Sequence, residues 1–113
     1  MKIFVAGATG ALGRRLIPLL VRDGHSVAAM TRSPGKTDTL RAAGAEPFIA
    51  DALDASAVMA AIKQAAPEAV VHELTAIPPA LDMRKWDTAF AATNRLRTEG
   101  TDNLLVAARA VGA

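Results

Sequence analysis

The chain has 113 residues, 51% of them hydrophobic, and a formal net charge of +2. Its length allows a single domain, its apolar fraction is that of a folded chain, and its small charge, with no basic stripe interleaved with aromatics, speaks against nucleic acid. The absence of cysteine excludes a disulfide framework and a thiolate metal site. No apolar run reaches a membrane span, and the N-terminus enters a strand at once, so no membrane anchor or signal peptide is expected and the cytoplasm is the expected compartment.

Lys2 to Ala6 is a short apolar run suited to a strand buried on both faces. The run Gly7-Ala8-Thr9-Gly10-Ala11-Leu12-Gly13 follows, and Leu12, Leu16, Leu19 and Leu20 then recur at helical spacing. A glycine-rich turn between a buried strand and a helix lets the backbone approach a diphosphate, with the free N–H groups of the helix N-terminus aimed at it. The spacing is G-x-x-G-x-x-G rather than the commoner G-x-G-x-x-G. By itself it reads either as a dinucleotide cradle or as a tight turn with no ligand. Its place after the first strand and before a helix favours the cradle, with Gly7 for the sharp turn, Gly10 for close approach of phosphates and Gly13 for helix–strand packing. Pro18 removes one hydrogen bond from this helix and should bend it slightly, and Gly24 stops it.

Val27 to Met30 is the second strand, and Lys36 to Ala43 a short helix ended by Gly44. Pro47 to Ala50 is a brief third strand with Pro47 at its start. Asp54 is a suitable N-cap for a helix that buries Val58, Ala61, Ile62 and Ala65 and is broken by Pro67. Ala69 to His72 is the fourth strand. After a loop with Pro78-Pro79, a helical pattern runs from about Lys85 to Val111, with Trp86, Phe90, Leu104, Leu105 and Ala108 as expected buried positions and Gly100 as a point of close approach to the sheet. Strands alternating with helices imply right-handed crossovers and a parallel sheet.

Three segments in this order, Gly7 to Gly13, Val71-His72-Glu73-Leu74-Thr75-Ala76, and Thr98 to Arg109, resemble the extended short-chain dehydrogenase/reductase family, the NAD-dependent epimerase/dehydratase group. The resemblance covers essentially the whole chain. It implies an α/β Rossmann sheet of about four parallel strands, in order 3-2-1-4, flanked by helices and cut short before a fifth strand. It implies a nicotinamide dinucleotide at the carboxyl ends of the strands, held by Gly7, Thr9, Gly10, Ala11, Leu12 and Gly13. Asp51, with Ala52 beside it, is expected at the adenine amino group, and Leu74, Thr75 and Ala76 beside the nicotinamide ribose. The local alternative is that Asp51 or Asp54 only caps the next helix.

The family's catalytic Tyr-x-x-x-Lys lies on a later helix, and this chain contains no tyrosine. These 113 residues are therefore read as an incomplete cofactor-binding module, able to bind but not to turn over substrate alone. A non-enzymatic NADP sensor of the same superfamily is the alternative. A methyltransferase domain using S-adenosylmethionine is a further rival, against which the Thr-Gly turn and the lack of an acid after the second strand both count.

In an NAD site that acid holds the ribose hydroxyls. Here the stretch reads Met30-Thr31-Arg32-Ser33. A guanidinium suits a 2′-phosphate, so NADP is the preferred cofactor and NAD the second choice; a solvated loop arginine is the plainer reading. His72 and His25 are expected to be structural, with His25 facing solvent, since no further ligand stands at metal spacing. The resemblance implies that Asn94 hydrogen-bonds into the sheet, and Arg95 and Arg97 beside it are expected to form a solvated face. An uncovered edge at the fourth strand predicts self-association.

Overall fold

The computed structural model describes residues 1–10, 12–74, 91 and 94–113. Four strands form one parallel sheet: β1 (Lys2–Ala6), β2 (Ser26–Thr31), β3 (Glu46–Ile49) and β4 (Ala69–His72). Their order is β3-β2-β1-β4, as the resemblance implies. The register pairs Ala6 with both Met30 and His72, and Thr31 with Ile49, so all four carboxyl ends open on one edge.

Alternation along β1 explains the layers. Ile3 and Val5 point to one face and Phe4 and Ala6 to the other. Ile3, Val5, Val27 and Ala29 pack with Ile17 of α1 (Gly13–Arg22) and Leu40 of α2 (Thr37–Ala42). Phe4, Ala6, Ala28, Met30 and Phe48 pack with Val58, Ala61, Ile62 and Ala65 of α3 (Ala55–Ala65) and with Leu104 and Ala107 of α4 (Thr101–Val111). The four α3 residues are the ones its periodicity selects. Burial on both faces is why β1 and β2 read as continuous apolar runs.

The connections β1–α1–β2 and β2–α2–β3 step outward on one face, and α3 then returns across the other face to place β4 on the far side of β1. The strand order therefore reverses between β1 and β4. In open α/β sheets, the crevice outside such a switch point is where ligands bind.

Local chemistry sets the helix ends. Asp54 accepts a hydrogen bond from the Ala57 N–H at 3.1 Å, the expected N-cap. Gly24 closes α1 with φ +87°, and Ala66 closes α3 with φ 48° before Pro67.

Two helix faces and two single residues, Gly100 and His25, differ from expectation. Ile17 and Gly13 form the buried stripe of α1, whereas Leu12 and Leu19 are exposed. The buried stripe of α4 is Leu104 and Ala107, and Leu105 is exposed. Leu104 is buried as expected; a π-helical turn, Leu96–Gly100, precedes α4, and its extra residue rotates later positions, so a periodicity counted through it misplaces Leu105. Gly100 is buried in that turn, yet a Cβ there would sit 3.6 Å from the Ala52 Cβ, an ordinary contact that needs no glycine. His25 is half-buried, with its Nδ1 out of solvent, rather than solvent-facing. Trp86, Phe90, the Pro78-Pro79 loop and the start of the last helical pattern lie outside the described residues.

Candidate functional site

The glycine-rich turn leaves β1 at the switch point. Gly7 has φ +87°, a conformation side chains disfavour, and a Cβ on it would overlap the carbonyl of Glu73, which follows β4. Gly7 therefore makes the sharp turn and also lets the β4 exit pack against the β1 exit. A Cβ on Gly13 would overlap the Gly7 and Ala8 carbonyl groups, so this glycine serves the folding of the turn onto its own helix rather than onto a strand. Gly10 is different. Its Cβ would meet only the Gly7 carbonyl oxygen, at 3.4 Å, so the space above it is open.

The turn is tied by Gly10 N–H donating to the Gly7 carbonyl (3.2 Å) and Arg14 N–H to the Gly10 carbonyl (3.0 Å). At the start of α1 no side chain caps the helix and no acid stands in its first turn. The Arg14 and Arg15 N–H groups are taken by the Gly10 and Leu12 carbonyls, so what this helix start offers an external anion is its positive dipole end.

A cleft of ≈ 270 Å³ lies over the carboxyl ends of the strands. Of the residues expected at a cofactor, it brings together Gly7, Thr9, Gly10, Thr31, Arg32, Asp51, Ala52 and Leu74. Leu12 and Gly13 do not line it: Gly13 is buried beneath the turn and Leu12 is exposed at the helix start. Ala11, Thr75 and Ala76 lie outside the described residues.

Each wall has a local cause. Thr31 is buried at the end of β2, and its hydroxyl accepts the Ser33 N–H at 3.2 Å, which fixes the turn that carries the exposed Arg32. Asp51 Oδ1 accepts the Leu53 N–H at 2.9 Å, while the cap of α3 belongs to Asp54. Both local duties thus exist, on separate aspartates, and the Asp51 side chain still stands at the cleft. Ala52 is held from behind: its carbonyl accepts from Asn103 Nδ2 at 2.8 Å. Asn103 thus ties the last helix to the loop after β3, whereas Asn94, expected to bond into the sheet, is exposed and its carbonyl accepts from the Thr98 hydroxyl. Arg95 is exposed and pairs with Glu99 one turn on, at 3.3 Å, and Arg97 is exposed too.

His72 is structural. Its Nδ1 accepts the Leu74 N–H at 3.1 Å, so the proton of the neutral ring sits on Nε2 and is donated to the Thr101 hydroxyl at 2.8 Å. Burial pushes its pKa down, opposed in part by the Leu96 backbone. These bonds fix the path of Leu74 out of β4 and dock α4 on the sheet edge. Among the described residues no cluster of histidine and carboxylate side chains could hold a metal, and no helix is long and apolar enough to cross a membrane.

Five cleft residues were not anticipated: Met30, Ser33, Ala50, Glu73 and Leu96. Met30, Ser33 and Ala50 flank expected residues in the chain. Leu96 reaches the cleft from the π-helical turn, which no local pattern announces. Glu73 lies inside the resembled segment Val71 to Ala76, which gave a role only to the residues after it.

Comparison with known proteins accords with this geometry. A family model described as NAD(P)H-binding matches residues 7–113. A 3-diazoavenalumate denitrifying reductase from a Streptomyces species is 48% identical over 114 residues, covering 100% of this chain and 35% of that protein. The Bordetella bronchiseptica enzyme WbmG, solved with NAD, aligns at TM-score 0.75 and 30% identity over 100% of this chain and 35% of its own. The Thermus thermophilus UDP-glucose 4-epimerase, solved with NAD, has the same fold, at TM-score 0.80 and 24% identity over 99% of this chain and 35% of its own. The chain thus spans about a third of the length of the relatives it matches. It belongs to the NAD(P)H-binding family and is an NAD(P)-binding part of the short-chain dehydrogenase/reductase and epimerase group.

Proposed function

We propose that this chain binds NADP in preference to NAD, as the cofactor-binding part of an oxidoreductase, epimerase or dehydratase. The observation that carries the preference is Arg32. It lines the same cleft as Gly10 and Asp51, and the end of β2 that it occupies, Thr31-Arg32-Ser33, offers no carboxylate to a ribose diol. Among the described residues Arg32 makes no ion pair, so its guanidinium is available to a 2′-phosphate. Two further cations, Arg14 and Lys36, line a neighbouring hollow that shares Thr9 with the cleft, and they add to the positive field there.

The sheet order and the open space above Gly10 support the following placement. The diphosphate lies over Gly10 at the N-terminus of α1, the adenosine end reaches toward β2 and β3 past Arg32 and Asp51, and the nicotinamide end passes the exit of β4. The cofactor supplies hydride exchange with a substrate. This chain supplies binding and orientation, and the substrate pocket and acid–base group come from elsewhere in the protein. The reductase name of the Streptomyces relative supports a reductive role within this range.

The test is calorimetric titration of NADPH and NADH against the wild-type protein and Arg32→Ala. A charge-assisted contact is worth at least about 1.5 kcal/mol, so NADPH should bind about tenfold tighter and lose that margin in Arg32→Ala. Equal wild-type affinities refute the preference. Failure of both cofactors to bind refutes the site.

A further inference from the structure

The chain leaves β4 in two steps, and only the first is held by the sheet. The Glu73 N–H donates to the Ala6 carbonyl at 2.9 Å, but the next one, that of Leu74, donates to His72 Nδ1 at 3.1 Å. The other ring nitrogen meets the Thr101 hydroxyl at 2.8 Å, in the residue that follows the π-helical turn. One half-buried imidazole thus joins the two segments that supply Leu74 and Leu96 to the wall of the cleft. The two leucines meet at Gly100, where a Cβ would stand 3.9 Å from Leu74 Cδ1 and 3.8 Å from Leu96 Cδ2.

This bonding needs the neutral ring. Nδ1 accepts, so it carries no proton, and a second proton can only go there. It would set an N–H against the Leu74 N–H, turning a hydrogen bond into a donor–donor contact and freeing the chain beyond Glu73. Burial favours the neutral form and holds the His72 pKa below its ordinary 6.5, with the Leu96 backbone opposing in part. The charged groups on the elements around the ring are Glu73 next to it in the chain, Arg97 and Glu99 in the π-helical turn, Asp102 and Arg109 on α4, and Lys2 at the far end of β1. Among the described residues none of these bonds to the ring, and the four on the turn and α4 are exposed. Uptake of a proton therefore opens the Leu74 bond without forming an ion pair in its place.

We propose that His72 is a positioning residue of the cofactor cleft: as a neutral ring it holds the Leu74 N–H and so sets the wall at the β4 exit, and its protonation loosens that wall and weakens dinucleotide binding. His72 does not itself line the cleft and acts through Leu74. The pH window follows from the sign. The bond is complete above pH 6.5 and is lost as the pH falls from there toward the folded value. This inference rests on the dinucleotide reading above.

The oxidised cofactor NADP, which survives acid, is titrated by calorimetry between about pH 8 and about pH 5 into the full-length wild type, His72→Asn and His72→Gln. In His72→Asn the side-chain oxygen stands one bond from Cγ, as Nδ1 does, so the acceptor is kept but cannot titrate. In His72→Gln the amide reaches the place of Nε2, so the Thr101 contact is kept and the Leu74 N–H is left unpaired. Wild type should match His72→Asn at the alkaline end and bind about three- to tenfold more weakly than it at the acid end, the size of one hydrogen bond. His72→Gln should be weaker than wild type by that factor at the alkaline end and lose no further ground to His72→Asn in acid. The 2′-phosphate itself titrates near about pH 6, but alike against all three proteins, so their ratios give the result. Circular dichroism checks that each variant is folded. If one is not, the His72 ring-proton resonance of wild type replaces it, and NADP should lower its titration midpoint by the same factor, about 0.5–1 pH unit. Parallel pH profiles for wild type and His72→Asn, His72→Gln as tight as wild type at the alkaline end, or a ring midpoint that NADP leaves unmoved each overturn the role of His72 alone. No binding by wild type at any pH overturns the dinucleotide reading and this inference with it.

Discussion

Alanine at Gly7 and alanine at Gly100 should have opposite effects on stability. At Gly7 two costs add. The φ of +87° puts an L-residue in the left-handed region, at about 1–2 kcal/mol. The new Cβ would overlap the backbone of Glu73, and overpacking against backbone adds about 1–3 kcal/mol. The sum is about 2–5 kcal/mol, a large part of the roughly 5–15 kcal/mol that holds a domain together. At about 4 °C per kcal/mol it lowers the melting temperature by roughly 8–20 °C. At Gly100 the backbone is helical and the nearest atom to a new Cβ is 3.6 Å away, so only propensity changes, for a gain of up to about 1 kcal/mol. Thermal unfolding followed by circular dichroism reads both. Gly7→Ala melting with wild type, or Gly100→Ala falling as far as Gly7→Ala, would refute the reading of the β1–β4 switch point.

Further outcomes follow from single contacts. Asp54→Ala removes the cap on the Ala57 N–H and should cost about 1 kcal/mol in chemical denaturation, with no change in cofactor affinity. Asn103→Leu strips the Ala52 carbonyl of its donor and should cost about 1–3 kcal/mol and also weaken cofactor binding, since that carbonyl backs the cleft wall. His72 has a folded pKa below its ordinary 6.5, so the unfolded chain binds its proton first as pH falls. Its contribution is complete above pH 6.5 and is lost as pH drops from there toward the folded value. That loss should appear as a falling melting temperature in wild type and be smaller in His72→Gln. The 113-residue polypeptide expressed alone presents β4 as an edge strand and should self-associate; sedimentation as a monomer at high concentration contradicts this.

The strands were legible because each is a short apolar run closed by a helix signal, whereas their order was implied by the family resemblance and not by the runs themselves. Asp54 was legible because a capping residue acts through its neighbours in sequence. What escaped depends on the third dimension. The leucines of α1 suggest a stripe, but the side facing the sheet is set by the turn at Gly13, and that side holds Ile17. Asn94, the expected tie to the sheet, is exposed, whereas Asn103, past the π-helical turn Leu96–Gly100, reaches the Ala52 carbonyl in the loop after β3. The cleft was legible in part: residues from four strand ends, expected together, do converge. Leu96 was not, because it reaches the cleft from the π-helical turn, which no local pattern announces.

The central claim is that the cleft over the β1–β4 switch point holds a nicotinamide dinucleotide. A crystal structure of the protein with NADPH tests it most directly. The account predicts the diphosphate over Gly10 at the N-terminus of α1, the 2′-phosphate within hydrogen-bond reach of Arg32, and the nicotinamide end at the exit of β4. A dinucleotide bound elsewhere, or this cleft empty at saturating NADPH, would contradict it.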